Sequence, residues 1–533
     1  MIDQLVVHGS RLVFCVPGES YLAALDALYD TPALRLIVCR MEAGAANMAC
    51  AYGQLTGSPG VCFVTRGPGA SHAAVGVHTA RQGSVPMILL VGQVPRAHRG
   101  REAFQEVDIE SMFAPLAKWT ATIDDPSRIP EFLSRAFYVA CAGRPGPVVL
   151  ALPEDVLTEP AEVPDADCYR AVAPSPAGEL VARARDVLAG AERPLAIVGG
   201  GGWSERAAAQ VTAFCEAWGL PVAAAFRCQD YIDNRSPAFC GTLGLGADPR
   251  LVRRAREADT LLVIGARLDE PTTAGYTTVQ APRPEQTLIH VHAEPEELGR
   301  VFEPALAINA SSGEFAAAAG ALDPPAEQRW RTWADAARED LGEFVEPPRT
   351  AADLDLARAL VGLREQLPPE TIVTNGAGNY TLWCHRYWRF RKFGTQLAPV
   401  SGAMGYGVPA AIAAKLVYPQ RPVLSFNGDG CFLMCGQELA TAVRHRANAV
   451  FVVIDNGSYG TIRMHQQRHY PDRPVGTDLT NPDFVAYARA FGVDACSVGD
   501  TGELIAAVQD AIHADRPALV HVPLSPELLT PGT

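Results

Sequence analysis

VLSFNGDGCFLMCGQELATAVRHRANAVFVVIDNGSY, running from Val423 to Tyr459, decides the fold of this chain. Val423-Leu424-Ser425-Phe426 is a short apolar run that Gly428-Asp429-Gly430 ends abruptly. The pattern predicts a helix from about Met434 to Arg446, then a second buried strand, Ala449 to Ile454, entering Asp455-Asn456-Gly457. Strand, helix and strand at this spacing form a right-handed parallel crossover. Both strand ends then reach one edge of the sheet, which sets Asp429 and Asn456 side by side in the crevice where open α/β sheets bind ligands.

The chemistry available there is specific. A carboxylate (Asp429), an amide oxygen (Asn456) and the backbone carbonyl of Ser458 make half of an octahedral oxygen shell. Mg²⁺ favours such a shell, completed by substrate phosphates and water. Gly428 and Gly430 let backbone N–H groups approach a phosphate at a helix N-terminus. Gly-Asp-Gly also occurs in ordinary βαβ turns; the Asp-Asn-Gly turn closing the next strand is what favours a metal–diphosphate site.

Working outward, 533 residues exceed one core and suggest three domains. A hydrophobic content of 48% with 20% charged residues describes a soluble globular protein. The net charge of −14, without a Lys/Arg block, argues against nucleic acid and anionic membranes as partners. Thirteen cysteines without a C-x-x-C pair read as reduced, mostly buried thiols. Neither a signal peptide nor a spanning apolar run is visible, so a cytoplasmic location is expected.

Residues 1–165 alternate strands and helices, with strands at Leu12–Val16, Leu34–Val38, Val61–Val64, Met87–Val91 and Pro147–Leu150. Leu152–Asp167, rich in proline and acid, reads as a linker. A second α/β unit, 178–323, has strands at Leu195–Val198, Thr260–Ile264 and, last, Leu288–Val291; its Gly199–Gly202 turn has room for a nucleotide phosphate without being a full G-x-G-x-x-G. A proline- and charge-rich link, Asp323–Arg349, leads to a third unit, 352–530. The fold class is therefore α/β, with three doubly wound parallel-sheet domains.

Two further stretches carry candidate chemistry. Glu42, in Met41–Ala46, starts a helix of small residues directly after a strand, and the turn Thr65–Ala74 lies at the end of the next strand. A lone glutamate there is ordinary helix capping. The second stretch is Gly402-Ala403-Met404-Gly405-Tyr406-Gly407-Val408-Pro409, where Pro409 suits a first helical turn and the glycines permit close backbone approach. His72, His78 and His98 read as surface or core residues rather than acid–base groups.

Together these segments resemble the thiamin diphosphate-dependent 2-keto acid enzymes, most closely the acetolactate synthase-like branch. The likeness spans nearly the whole chain: VPGES at 16–20, MEAGAA at 41–46, AFQEVD at 103–108, GAMGYGVPAAIAAKL at 402–416 and GDG…DN at 428–456. The resemblance implies pyrimidine-binding, central and diphosphate-binding domains in that order. It implies that Glu42 hydrogen-bonds N1′ of the aminopyrimidine, that the Gly402 carbonyl accepts from the 4′-amino group, and that Met404 supports the bent cofactor. Gly378, Asn379 and Tyr380 match diphosphate-contacting positions, with Asn-Tyr where Gln-His is expected. Gly428, Asp429, Gly430, Asn456 and Ser458 would hold diphosphate and Mg²⁺, the metal falling to Asp429, Asn456 and Ser458. Glu19, Phe104 and Gln105 would face the reacting carbon. In such enzymes Glu42 and Asp429 serve one cofactor from different chains, which implies a homodimer or homotetramer with sites at the subunit interface.

Departures from the branch narrow the substrate. Pro271 stands where acetolactate synthases place an arginine for the second keto acid, and His465 where a tryptophan is expected; Arg463 and His465 follow the metal loop directly. Segments that contact flavin in this branch are altered at Gly244–Pro249 and at His292, which leaves FAD or ADP in the central domain open. The expected activity is that of a lyase or carboligase acting on a small 2-keto acid. Alternatives are a 2-hydroxyacyl-CoA or oxalyl-CoA lyase and a non-catalytic regulatory relative.

Overall fold

A computed structural model describes residues 1–348 and 352–531. Three six-stranded sheets, every pairing within them parallel, follow one another along the chain. The first contains β1 (Leu12–Cys15), β2 (Arg35–Val38), β3 (Gly60–Val64), β4 (Met87–Gln93), β5 (Trp119–Thr122) and β6 (Pro147–Pro153), in the order β2-β1-β3-β4-β6-β5. The second contains β7 (Pro194–Val198), β8 (Val222–Ala224), β9 (Phe239–Thr242), β10 (Thr260–Ile264), β11 (Thr287–His292) and β12 (Leu306–Asn309), in the order β12-β11-β10-β7-β8-β9. The third contains β13 (Ile372–Asn375), β14 (Gln396–Leu397), β15 (Val423–Gly428), β16 (Val450–Asp455), β17 (Asp494–Ser497) and β18 (Ala518–Pro523), in the order β14-β13-β15-β16-β18-β17.

The direction of growth reverses between β1 and β3, between β7 and β10, and between β13 and β15; in the first and third sheets the last strand also turns back to lie inside the edge strand. Loops leaving the strand ends on either side of such a reversal part and open a crevice. The central strands are buried on both faces, which is why they read as unbroken apolar runs.

Three expectations are corrected. The helix expected at Met434–Arg446 is split: one begins at Asp429 and ends at Leu433, a 3₁₀ turn covers Gly436–Glu438, and a second helix runs Leu439–His445. Glu438 causes the break, because its carboxylate turns away to accept from the backbone N–H groups of Arg40 and Met41 in the first domain. The central sheet does not end at Val291: β12 extends it, and β8 and β9 complete its other edge. The link expected at Asp323–Arg349 holds a helix, Arg331–Phe344, while Arg349 itself lies outside the described residues. Ala337 and Leu341 bury one face of that helix, and the indole of Trp330 just before it donates to the Gly219 carbonyl. Charged residues on the outer face concealed the helical spacing.

The central and third domains are joined by a buried polar seam. Gln229 and Gln396 pair reciprocally, and Asp230 accepts from the N–H groups of Thr395 and Gln396 at 2.9 and 3.1 Å. Burial pushes the Asp230 carboxyl up to about 6, against those donors. The folded chain therefore holds a proton that the unfolded chain releases at lower pH, so this group's contribution to stability falls as pH rises from about 4 to about 6. Urea unfolding of wild type and Asp230→Asn tests this: across that window wild type should lose stability relative to the variant. A gap that does not change with pH would show that Asp230 titrates as an ordinary carboxylate.

Candidate active site

At the reversal of the third sheet, the ends of β13, β15 and β16 surround a cavity of about 250 Å³. Gly378, Asn379, Tyr380, Gly402, Met404, Gly428, Asp429, Gly430, Asn456 and Ser458 all line it, so the sequence-predicted residues of this domain are brought together. Glycine is required on its rim by contact: a Cβ on Gly428 would come 2.9 Å from the Tyr380 ring, and one on Gly430 2.6 Å from Tyr459. Tyr380 is wall rather than free polar group. Its hydroxyl accepts from the Gly376 N–H at 3.0 Å and reaches the Cys431 sulfur at 3.4 Å. Asn379 Oδ1 accepts from Thr461 at 2.9 Å.

Asp429 is buried at the end of β15, and one amide governs its surroundings. Asn481 Nδ2 donates to Asp429 Oδ2 at 2.7 Å and to Asp455 Oδ1 at 2.8 Å, bridging two carboxylates. Burial raises the Asp429 carboxyl, and the neighbouring charge of Asp455 adds to that. Burial acts in the same direction on Asp455, but hydrogen bonds from His521, the Gly457 N–H and Asn481 outweigh it and hold that carboxyl low. His521 in turn meets Ser497 Oγ at 3.0 Å through its other ring nitrogen. Among the described residues no three His, Cys, Asp or Glu side chains cluster as a metal cage. The donor set is instead one carboxylate, one amide oxygen and the Ser458 carbonyl, which suits a cation that keeps phosphate and water ligands. The Ser458 hydroxyl is buried there without a protein partner, as a site built to receive a polar group would leave it. Mg²⁺ with a diphosphate fits these residues.

The first domain's candidates lie elsewhere: none of Glu19, Glu42, Phe104 and Gln105 lines this cavity. They gather around the reversal of the first sheet. Ser20, beside Glu19, shares a 2.9 Å hydrogen bond with Thr65, and the Gln105 carbonyl accepts from the Gly67 N–H at 3.0 Å. Phe104 protrudes, 77% exposed. Glu42 opens the helix Glu42–Thr56, buried, with Oε2 2.9 Å from Nδ1 of His72. His72 lies at the surface, with its side chain 54% exposed, and from there it partners Glu42, a contact that the sequence did not indicate. Arg463 is engaged with Asp478, and His465 is exposed and stacks near His469; neither lines the cavity.

A second cavity, of about 360 Å³, opens at the reversal of the central sheet, lined by Gly201, Gly202, Ser204, Gly265, His292 and Ser312 among others. Part of its glycine turn serves packing, since a Cβ on Gly201 would lie 2.1 Å from the Ser84 carbonyl of the first domain. Gly202, at φ 76°, remains open. The volume suffices for a nucleotide.

Family models for thiamine pyrophosphate enzymes match all three regions: the N-terminal TPP binding domain at residues 1–112, the central domain at 181–319 and the C-terminal TPP binding domain at 376–522. The chain is 32% identical to the acetolactate synthase large subunit of Parasynechococcus marenigrum (strain WH8102), over 98% of this chain and 86% of that protein. It is 31% identical to the acetolactate synthase isozyme 2 large subunit of Escherichia coli (strain K12), over 98% and 94%. Against the acetolactate synthase large subunit of Corynebacterium glutamicum the identity is 31%, over 98% and 85%.

Asn481 donates to Asp429, a candidate metal ligand, without being a candidate itself, which separates two variants. Asn481→Ala should weaken Mg²⁺-dependent binding of thiamin diphosphate by the ~10–100-fold typical of an outer partner. Asp429→Ala, losing a ligand, should weaken it further. Titration calorimetry decides this; Asp429→Ala with wild-type affinity would remove Asp429 from the site.

Proposed function

The chain belongs to the thiamine pyrophosphate enzymes as an acetolactate synthase-like member, and on that premise we propose that it decarboxylates a small 2-keto acid and passes the remaining fragment to a proton or a carbonyl acceptor. The observation that carries the reading is the cavity at the third sheet's reversal, where Asp429, Asn456 and Ser458 meet Gly402 and Met404. When bound there, thiamin diphosphate supplies an electron sink for the bond that breaks. In this proposal Asp429, Asn456 and the Ser458 carbonyl hold Mg²⁺, and the backbone around Gly428 and Gly430 takes the diphosphate. The Gly402 carbonyl orients the amino group of the pyrimidine, Met404 supports the ring, and Glu42 exchanges a proton with N1′. Glu19, Phe104 and Gln105 shape the space over the reacting carbon.

Glu42 lies outside that cavity within its own chain. We therefore assign each complete site to two chains of a homodimer or of a homotetramer built from such dimers, Glu42 from one and Asp429 from the other. A nucleotide group in the central cavity, FAD or ADP, belongs to the same proposal; flavin absorbance of the purified protein would tell the two apart. The relatives found give no support to a CoA-ester lyase or to a regulatory role. Of the described residues, no helix is long and apolar enough to cross a membrane.

The acceptor is argued from charge. Among the described residues, no Lys, Arg or His lines the half of the site that the third domain supplies. Arg267 is occupied by the Gln82 carbonyl and by Asp269, and Pro271 offers no fork. A keto acid acceptor would bring its carboxylate in without the charge-assisted hydrogen bond worth about 1.5–3 kcal/mol, so a neutral acceptor should win by roughly ten- to a hundredfold. Measuring CO₂ release, acetolactate and aldehyde-ligation products from pyruvate tests this. Efficient acetolactate formation that collapses in Arg463→Ala would identify the overlooked cation.

Subunit sharing gives a separate expectation. Glu42→Gln and Asp429→Ala chains, each inactive alone, should recover about a quarter of wild-type activity after co-refolding, because half the dimers are hybrids with one intact site in two. If the mixture stays inactive while hybrids form, both residues act within one chain.

A further inference from the structure

Glu42 and His72 lie on helices locked together by small residues. A Cβ on Gly76 would fall 2.4 Å from Ala46, so the helix Gly67–Gly83 seats against Glu42–Thr56 with no room to slide. That contact fixes His72 over the first turn of the neighbouring helix, where its Nδ1 lies 2.9 Å from Glu42 Oε2. A carboxylate oxygen accepts and a ring N–H donates, so the contact pairs Nδ1–H of His72 as donor with Oε2 of Glu42 as acceptor in the scheme below. The other carboxylate oxygen, Oε1, is treated differently. It faces Gly69, whose missing side chain would otherwise stand 3.3 Å away.

We propose that His72 is the positioning residue of Glu42: it donates from Nδ1 to Oε2, fixes the rotation of the carboxyl, and leaves Oε1 as the oxygen that meets N1′ of the pyrimidine. This rests on the reading of Glu42 given above and adds the group that orients it. Glu42 would otherwise turn freely about its last bond, and the contact to N1′ would form only in a fraction of its rotamers. His72 does not touch the cofactor in this scheme. Its ring is 54% exposed within its own chain, so truncating it leaves no large cavity in that chain.

The test is deuterium exchange at C2 of bound thiamin diphosphate in D₂O, followed by NMR after acid quench, with Mg²⁺ present throughout. His72→Ala should exchange roughly tenfold more slowly than wild type, a part of the ~10²–10⁴ carried by a whole acid–base group. Its cofactor affinity by calorimetry should stay within about twofold, because the diphosphate contacts are untouched. His72→Asn should recover most of the rate, since its Nδ2–H₂ can donate from nearly the same place as Nδ1–H. A slow Glu42→Gln beside an unimpaired His72→Ala overturns this inference alone, as does His72→Asn exchanging no faster than His72→Ala. Equal exchange in wild type and Glu42→Gln would overturn the reading of Glu42, and this inference with it.

Discussion

A single buried carboxylate ties the two chemical halves of this chain together. Glu438 is fully buried, and it accepts from the backbone N–H groups of Arg40 and Met41 and from the Thr441 hydroxyl. Those N–H groups precede the helix that Glu42 opens, so Glu438 caps that helix from another domain, where a negative charge also meets the positive end of its dipole. Burial raises the Glu438 carboxyl while its donors oppose the shift, so the cap is held by hydrogen bonding against a real desolvation cost. The constraint spreads from there. Gly44 must be glycine because a Cβ would meet the Glu438 carboxylate at 2.5 Å. The helix after Asp429 must break at Gly436–Glu438 so that the side chain can leave it. The segment carrying Asp429 and the segment carrying Glu42 are thus positioned by one interaction.

What could be read from the sequence follows from how locally each feature is encoded. β15 and β16 were legible because strands buried on both faces are continuous apolar runs, and the glycine turns at their ends were legible because backbone geometry demands glycine. β12 was not, since only alternate residues of Leu306–Asn309 are buried and the run is four residues long. The helix Arg331–Phe344 was hidden by its charged outer face. In the candidate site, residues within or beside a motif could be named from the sequence, and their distant partners could not. His72 is 30 positions from Glu42, Asn481 is 52 from Asp429, and Glu438 is 398 from Arg40. No local pattern marks such partners; only the packing of the sheets brings them together.

Asp455 shows how a fold accommodates a second charge at a charged site. Its carboxylate lies near that of Asp429, and two like charges so placed raise one another's proton affinity. The structure answers with donors: the Gly457 N–H, the Asn481 amide and His521 all converge on Asp455. Asp455 is consequently the carboxyl held low, and Asp429 the one lifted by burial. The asymmetry assigns them different work. Asp455 takes the larger share of the protein donors, and in the proposed site Asp429 is the carboxylate assigned to the cation.

In the proposed site the same electrostatics would couple a metal to the cofactor. The chain carries a net charge of −14, and among the described residues the cavity wall contains Asp429 but no cationic side chain. A diphosphate entering alone would meet only backbone and hydroxyl dipoles beside a carboxylate; a cation entering alone would find three protein oxygens and otherwise water. Each partner therefore lowers the other's free energy of binding, and the coupling must be equal in both directions. On that proposal, backbone N–H groups and neutral side chains would aim the diphosphate, while the metal would balance its charge. In such a site the residues that orient Asp429, foremost Asn481, act on cofactor affinity without touching the cofactor.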